Sequence, residues 1–503
     1  MNILLICPEF PDTFWSFKHA LKFTGQKALV PPLGLLTIAA MLPPEWPKRL
    51  VDMNVRKFTE EDLAWADYAF ISGMIVQRES ALRAISQCKK AGIKVVAGGP
   101  LFTCEYETFK EVDHFVLNEA EVTLPPFLAD LEDGHARRVY KTSEFADLTK
   151  TPIPLWELAD LKQYNVMSTQ FSRGCPFDCE FCNVTALLGH RTRHKTRDQI
   201  IAELDNLYCD HRWRGGIFFV DDNLIGDKRY VKNELLPALI EWQKDKGEIP
   251  FNTQVSIKFA DDEELMQMMH EAGFDMVFVG IETPDENSLA ECGKKQNLNR
   301  DLIKNVQDIQ RAGLQVQGGF IIGFDNDTPS IFQQQADFIQ KTGIVNATVG
   351  LLQAWPNTRL YERLRMEGRL LEGMSGDNAD GTTNIVPIMG LKTLREGYLS
   401  LLHHIYSPAN YYQRVKTFLK NYKSPKVKMP FKFGRIPMFF RSVYFLGFRG
   451  KERVQYWKLL LWTLVHRPDL LPLAVMFAIQ GYHFRKVCEV YVSQGACPSD
   501  SLA

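Results

Sequence analysis

The 503-residue sequence has no run of the ~18–20 apolar residues that a membrane-spanning helix needs. Its best candidate, Leu459–Ile479, is cut by His466-Arg467-Pro468-Asp469. No secretory leader is expected from these residues, because the apolar Ile3–Cys7 has no basic segment before it and stops at Pro8-Glu9. The ten cysteines are scattered, which excludes a disulfide scaffold and favours a reducing compartment. These absences lead us to expect a cytoplasmic protein, and the length calls for two to four domains. Acids, finally, are nearly missing from one region. Between Arg414 and Arg467 there are 14 Lys and Arg against the single acid Glu452, so the net charge of −1 conceals +13 there and −14 elsewhere.

Against that background one loop stands out. Arg173-Gly174-Cys175-Pro176-Phe177-Asp178-Cys179-Glu180-Phe181-Cys182 carries three cysteines at C-x3-C-x2-C spacing, after the strand-like Val166–Phe171. Thiolates hold iron–sulfur clusters, and a cubane normally takes four, so three would leave one iron open to a ligand. A zinc site completed by His190 or His194 is the alternative that spacing alone leaves open. With Phe181 before the last cysteine and Arg-Gly before the first, the loop resembles that of the radical S-adenosylmethionine (radical SAM) superfamily. The resemblance implies a [4Fe–4S] cluster on Cys175, Cys179 and Cys182 whose open iron chelates S-adenosylmethionine.

Strand-like runs alternate with helical spacings along most of the chain, as expected of a parallel α/β architecture. Over residues 1–140 the strands fall at Asn2–Cys7, Lys48–Asp52, Tyr68–Ser72, Lys94–Ala97 and His114–Leu117. Doubly wound sheets bind ligands beyond their carboxyl edges. There the sequence places Pro32, Gly34, Asp52, Gly73, Met74, Gln77, Gly98 and Gly99. Each can be read as an ordinary turn residue. Together, "PPLGLLTIAA", "SGMIVQ" and "AGGP" resemble the Rossmann-like cobalamin-binding domain that precedes many radical SAM cores. The D-x-H-x-x-G motif that supplies a histidine below cobalt is absent, and His19, His114 and His135 do not replace it.

Residues 141–165 read as a linker. From 166 to 372 six strand–helix units follow, matching the partial (β/α)6 barrel of the radical SAM core. Asp221-Asp222-Asn223 ends the second strand, where the family holds the amino group of S-adenosylmethionine; a helix cap or turn is the alternative. Ser256 ends the third strand, and Glu282 the fourth in a segment resembling the ribose contact, with a structural salt bridge as alternative. Gly318, Gly319, Ile321 and Gly323 resemble the G-x-I-x-G segment that packs on adenine, and Gln353 begins a turn similar to the family's "ALPGT".

Residues 373–503 read as a mostly helical domain whose "GDNADGTTNIVPIMG" and "GYLSLLHHIYSPANYYQRV" resemble the C-terminal domain of hopanoid methylases. Its basic stretch is interleaved with aromatics such as Phe431, Phe433, Phe440 and Trp457. That composition suits a helical cap, a peripheral contact with anionic lipid at the inner face of the membrane, or, as the least favoured partner, single-stranded nucleic acid.

The resemblance implies cobalamin-dependent methylation of an unactivated carbon in a lipid-like substrate, hopanoid or isoprenoid, with a flavodoxin or ferredoxin as reductant. Its rivals are another radical SAM reaction (ring formation, tetrapyrrole modification, methylthiolation) and a non-enzymatic corrinoid sensor. RNA methylthiotransferases carry three further N-terminal cysteines, and Cys7, Cys88 and Cys104 are not so arranged.

Overall fold

The computed structural model describes residues 1–423 and 436–494, apart from 214, 245, 247, 248, 372 and 378. Short runs of β-branched and aromatic residues form two parallel sheets, because the helices between them return the chain to the same edge each time. The first sheet holds β1 (Ile3–Cys7), β2 (Lys48–Asp52), β3 (Tyr68–Ser72), β4 (Lys94–Gly98), β5 (His114–Val116) and β6 (Val139–Tyr140). Their order is β2-β1-β3-β4-β5-β6, so the winding reverses between β1 and β3 and opens a crevice at their carboxyl ends. Both faces are buried. Leu4, Ile6, Val51 and Ile71 pack on one side, and Ile3, Leu5, Phe70 and Val96 on the other.

The second sheet runs in sequence order through β7 (Val166–Thr169), β8 (Gly216–Phe219), β9 (Phe251–Val255), β10 (Phe274–Glu282), β11 (Gln315–Ile322) and β12 (Ala347–Leu351). Parallel neighbours in sequence order are what a partial barrel requires. Alternation along β10 sends Val277, Val279 and Ile281 into the helix-packed core. It leaves Phe278 and Gly280 on the inner face.

Helices Leu391–Tyr406, Pro408–Asn421, Arg453–His466 and Leu471–Gln494 form the C-terminal region. Arg414, counted above with the basic stretch, lies in its interior. Its guanidinium is fully buried and donates to the carbonyls of Ile405 (2.8 Å) and Val345 (3.1 Å) and to Gln340 Oε1 (2.8 Å). The N-terminal segment joins this region to the rest. Phe14 packs on Tyr406, Phe484 and Tyr491, and Phe17 stacks on His483. Between those anchors Trp15 turns the other way, 46% exposed, with its ring 5.3 Å from Phe278 on the inner face of the barrel.

Candidate active site

The cysteine loop leaves the carboxyl end of β7 and is held from both sides. Arg173, at its start, donates to Glu119 (2.9 Å) and to both oxygens of Glu121 (2.8 and 3.0 Å). Those carboxylates open helix Ala120–Glu132 of the first domain, and Arg193 adds two further bonds to Glu119. At Gly174 φ is +93°, and a Cβ would lie 2.5 Å from the carbonyl oxygen of Arg191, so the turn admits no side chain. Further along, Glu180 pairs with Arg363 at 2.7 Å, and its backbone N–H reaches the Cys292 carbonyl at 2.8 Å.

The thiols meet a polar, enclosed environment. The Phe177 N–H is directed at Cys175 and the Val184 N–H at Cys182, while burial pushes Cys175 up and Cys182 to about 12. Gln296 Nε2 donates to Cys179 Sγ at 3.5 Å. Lys294 is buried beside Cys179 and Cys182. Burial opposes its charge, but Glu282 and the two cysteines outweigh it and raise its pKa. Lys294 and Gln296 belong to no motif read in the sequence. They follow the helix after β10, and only the fold brings them to the cysteines.

The strand ends divide the sequence-identified residues into two groups. Asp221 is fully buried, and it accepts from the backbone of Phe171 (3.1 Å) and Ser172 and from the Ser172 hydroxyl (2.6 Å). It fastens the start of the cysteine loop, so its oxygens are occupied. Asp222 points the opposite way. Burial raises it to about 6, and its charge acts on both Cys175 and Cys182. Asn223 Oδ1 accepts from the Ser256 N–H at 3.0 Å and ties two strand ends together.

Glu282 adopts a left-handed backbone (φ 64°) beside a register shift in β10 and is paired with Lys294, the salt bridge weighed above as the alternative. Gly280 and Gly319 are register partners on the inner face, and side chains lie over both: a Cβ on Gly280 would meet the Glu282–Lys294 pair, and one on Gly319 the Phe278 ring. Ile321 shares that face by alternation, whereas a Cβ on Gly318 would meet Phe320 and Ile344 in the helix layer. The Gly323 N–H is held by Asp327 Oδ2 at 2.8 Å. Gln353 Nε2 donates to the carbonyls of Asp377 (3.3 Å) and Thr382 (3.2 Å), fastening the C-terminal segment, and its Oε1 has no protein partner.

The first sheet presents a mixed edge. Pro32 precedes helix Leu33–Met41, and Gly34 has open space around it. At the end of β3, Gly73 leads to Met74, whose side chain is 53% exposed. Asp52 is taken up by Tyr164 (2.9 Å) and Asn54 (2.7 Å), and Gln77 by Met74 N–H (2.8 Å) and the Pro8 carbonyl. A Cβ on Gly98 would strike the Val116 carbonyl, and one on Gly99 the Ser72 hydroxyl. His114 opens β5 and His135 precedes β6, both at the opposite edge, while His19 lies in helix Lys18–Thr24 beside Asp12.

Comparison with known proteins decides among the readings. Residues 169–339 match the Radical SAM superfamily model, and residues 358–496 match a domain of unknown function. An uncharacterized methyltransferase of Synechocystis sp. is 40% identical over 97% of this chain and 92% of its own length. The hopanoid C-2 methylase of Rhodopseudomonas palustris is 33% identical over 95% of this chain and 92% of its own. The chain belongs to the radical SAM methyltransferases. In fold it is similar to the cobalamin-dependent radical SAM enzyme OxsB, with TM-score 0.62 at 14% identity over 98% of this chain and 84% of that one.

The family's cluster and S-adenosylmethionine fit the residues present. Among the described residues no three His, Cys, Asp or Glu side chains crowd onto one point as a single ion requires. A cubane spreads its irons over several corners, so its thiolates need not converge in that way. His194, one of the two alternative fourth ligands, is turned aside with its Nδ1 3.0 Å from the Lys195 carbonyl and its ring against Phe171 and Tyr230. Cys7 and Cys88 are buried on opposite faces of the first sheet, and thus cannot join Cys104 in a second ligand set.

Proposed function

We propose that this methyltransferase adds a methyl group to an unactivated carbon of a hopanoid or isoprenoid lipid, with cobalamin held at the carboxyl edge of the first sheet. The similarity to the hopanoid C-2 methylase over nearly the full length of both chains carries this reading. When bound, the cluster supplies an electron to S-adenosylmethionine and the corrinoid supplies the methyl group, chemistry that no side chain offers. A flavodoxin or ferredoxin suits the role of reductant.

The chain's own residues prepare the site. Cys175, Cys179 and Cys182 hold the cluster, and the buried Lys294 offsets part of its negative charge. Asp222 is the free acceptor for the ammonium of S-adenosylmethionine, and adenine packs along the inner face of β10 and β11 beside Phe278 and Ile321. On the corrinoid side, Gly34, Gly73 and Met74 offer accessible contacts. Asp52, Gln77, Gly98 and Gly99 shape the edge from behind. Among the described residues His114 and His135 lie at the far edge of the first sheet, so a corrinoid at the β1–β3 crevice would not take its lower ligand from either.

The substrate lies between the sheets, on the aromatic wall formed by Trp15 and Phe278. Exclusion of water and of stray C–H bonds from this space protects the radical step. The test is anaerobic turnover of reconstituted protein with a hopanoid, a linear isoprenoid and a tetrapyrrole, using deuteriomethyl-labelled S-adenosylmethionine. Label in the hopanoid or isoprenoid supports the reading, and label confined to the tetrapyrrole overturns it.

A further inference from the structure

Among the described residues, half of the exposed large hydrophobic side chains fall within residues 439–465. They are not scattered. Phe440, Tyr444 and Phe448 recur at about one-turn spacing along the helical segment from Ile436 to Phe448, at 64, 47 and 64% exposure. Val454, Trp457, Leu461 and Leu464 recur at i, i+3, i+7 and i+10 on helix Arg453–His466, at 57, 38, 60 and 56%. The other side of each segment is buried, through Leu446, Tyr456, Leu459 and Thr463. Each is therefore an amphipathic element already packed on its inner face, with a second apolar face turned outward. The two outer faces join, since the Phe448 and Trp457 rings meet edge-on at 6.2 Å and Trp457 Nε1 donates to the Gly447 carbonyl at 3.0 Å.

The charge around this face has one sign. Arg449, Lys451, Arg453 and Lys458 are exposed beside it. Glu452, the one acid nearby in sequence, is turned inward onto Arg485. Residues Lys426, Lys428, Lys432 and Arg435 lie outside the described residues. A contiguous apolar patch of this kind marks an interaction site, and aromatics rimmed by cations suit the boundary between lipid headgroups and acyl chains.

We infer that residues 439–465 form a membrane-docking face that inserts shallowly into the surface of an anionic bilayer. The inference deepens the lipid reading above. No described helix is long and apolar enough to cross a membrane, so the contact is peripheral. The face also packs on the N-terminal segment that carries Trp15. Phe445 packs edge-on against Phe23 at 5.7 Å, and Arg441 donates to the Phe23 carbonyl at 3.0 Å. Phe23 belongs to helix Lys18–Thr24, directly after the loop that presents Trp15 to the barrel. The docking face is thus joined through Phe23 to the helix that follows Trp15.

The apolar contribution sets this face apart from a purely basic patch. Coulombic attraction to lipid fades as the Debye length shrinks from about 10 Å at 0.1 M salt to about 3 Å at 1 M, whereas apolar insertion does not. The full chain is floated with vesicles of phosphatidylcholine containing phosphatidylglycerol, at both salt concentrations. Binding is expected at low salt, with a substantial fraction retained at 1 M. L461E/L464E should reduce flotation at least tenfold at either salt, and L461S/L464S should do so without adding charge, both with parental iron content and circular dichroism. K451E/R453E should weaken binding at low salt only. Absence of wild-type flotation at both salts overturns the inference. So does a dimer, dissociated by L461S/L464S, that ignores vesicles, since the face would then be covered by a second copy. Methylation assays in detergent probe the catalytic reading separately, because they need no docking.

Discussion

Replacing Arg173 by alanine tests whether the cysteine loop is locked to the first domain. The guanidinium makes four hydrogen bonds, to Gln170 (2.9 Å), Glu119 (2.9 Å) and the two oxygens of Glu121 (2.8 and 3.0 Å). Its side chain is 15% exposed and those of the carboxylates 3 and 11%, so solvent screens the pairs little. Removing one partner of a buried ion pair costs about 3–5 kcal/mol. Glu119 keeps Arg193, which places R173A at the lower end, about 3 kcal/mol. For a cooperative unit of 150–250 residues that lowers Tm by about 6–12 °C. R173K keeps the charge but loses the fork, and should fall between. The pH dependence carries the sign. Burial alone would raise Glu121, but Arg173 overrides it and holds the carboxyl below its usual range. Its contribution is therefore present above about pH 4.3 and lost as the pH falls. The gap between parent and R173A should be widest near neutrality and close on acidification. Thermal unfolding of anaerobic apoprotein at pH 7 and at about pH 3.5, below the unfolded glutamate pKa, measures this, with iron content taken on the reconstituted protein. An R173A protein within 2 °C of the parent at neutral pH, with full iron, would refute the lock.

Replacing Cys175, Cys179 and Cys182 together by alanine should abolish iron binding and visible charge-transfer absorption; stoichiometric zinc without iron in the parent would contradict the cluster. In the Co(II) state, paramagnetic resonance of the cobalamin-loaded protein should show no nitrogen superhyperfine splitting from a protein histidine, given that His114 and His135 lie at the far edge. Trp15→Ala should raise KM for the proposed lipid substrate at least tenfold while iron content and uncoupled cleavage of S-adenosylmethionine persist, because the Trp15 ring is half exposed and its ring contact is with Phe278 on the inner face of the barrel. Unchanged KM would remove it from the substrate wall.

The strands were the most legible part of the sequence. Lys48–Asp52 and Tyr68–Ser72 were read with their observed bounds; Tyr68–Ser72 is an inner parallel strand whose burial on both faces leaves an apolar run, whereas Lys48–Asp52 lies at the sheet edge and buries only Val51 and Asp52. Strand β6 escaped notice because two residues, Val139 and Tyr140, carry no period. Site residues were legible as places on strand ends but not as roles. Asp221 and Asp222 look alike in sequence, yet neighbours at a strand end face opposite ways, so one had to turn back and tie Ser172 while the other faced the cysteines. Arg173 and Gly174 were recognised only as a family signature. Their physical reason is tertiary, in carboxylates more than fifty residues away and in a carbonyl where a Cβ would sit.

The C-terminal stretch shows a different limit. Composition counted fourteen cations and many aromatics there without distinguishing a cap from a contact surface. The structure separates them by direction. Arg414 and Tyr456 turn inward and do the work of a cap, while Phe440, Phe448, Leu461 and Leu464 are left outside. A cap alone would not leave these large apolar groups in water. At roughly 25 cal/mol per Å² of apolar surface, their burial against lipid is favourable wherever a bilayer is within reach. On the docking inference, the cations would set the register of approach and the apolar face would supply the persistence. That division explains why reversing Lys451 and Arg453 should alter salt sensitivity, whereas polar residues at Leu461 and Leu464 should abolish attachment itself.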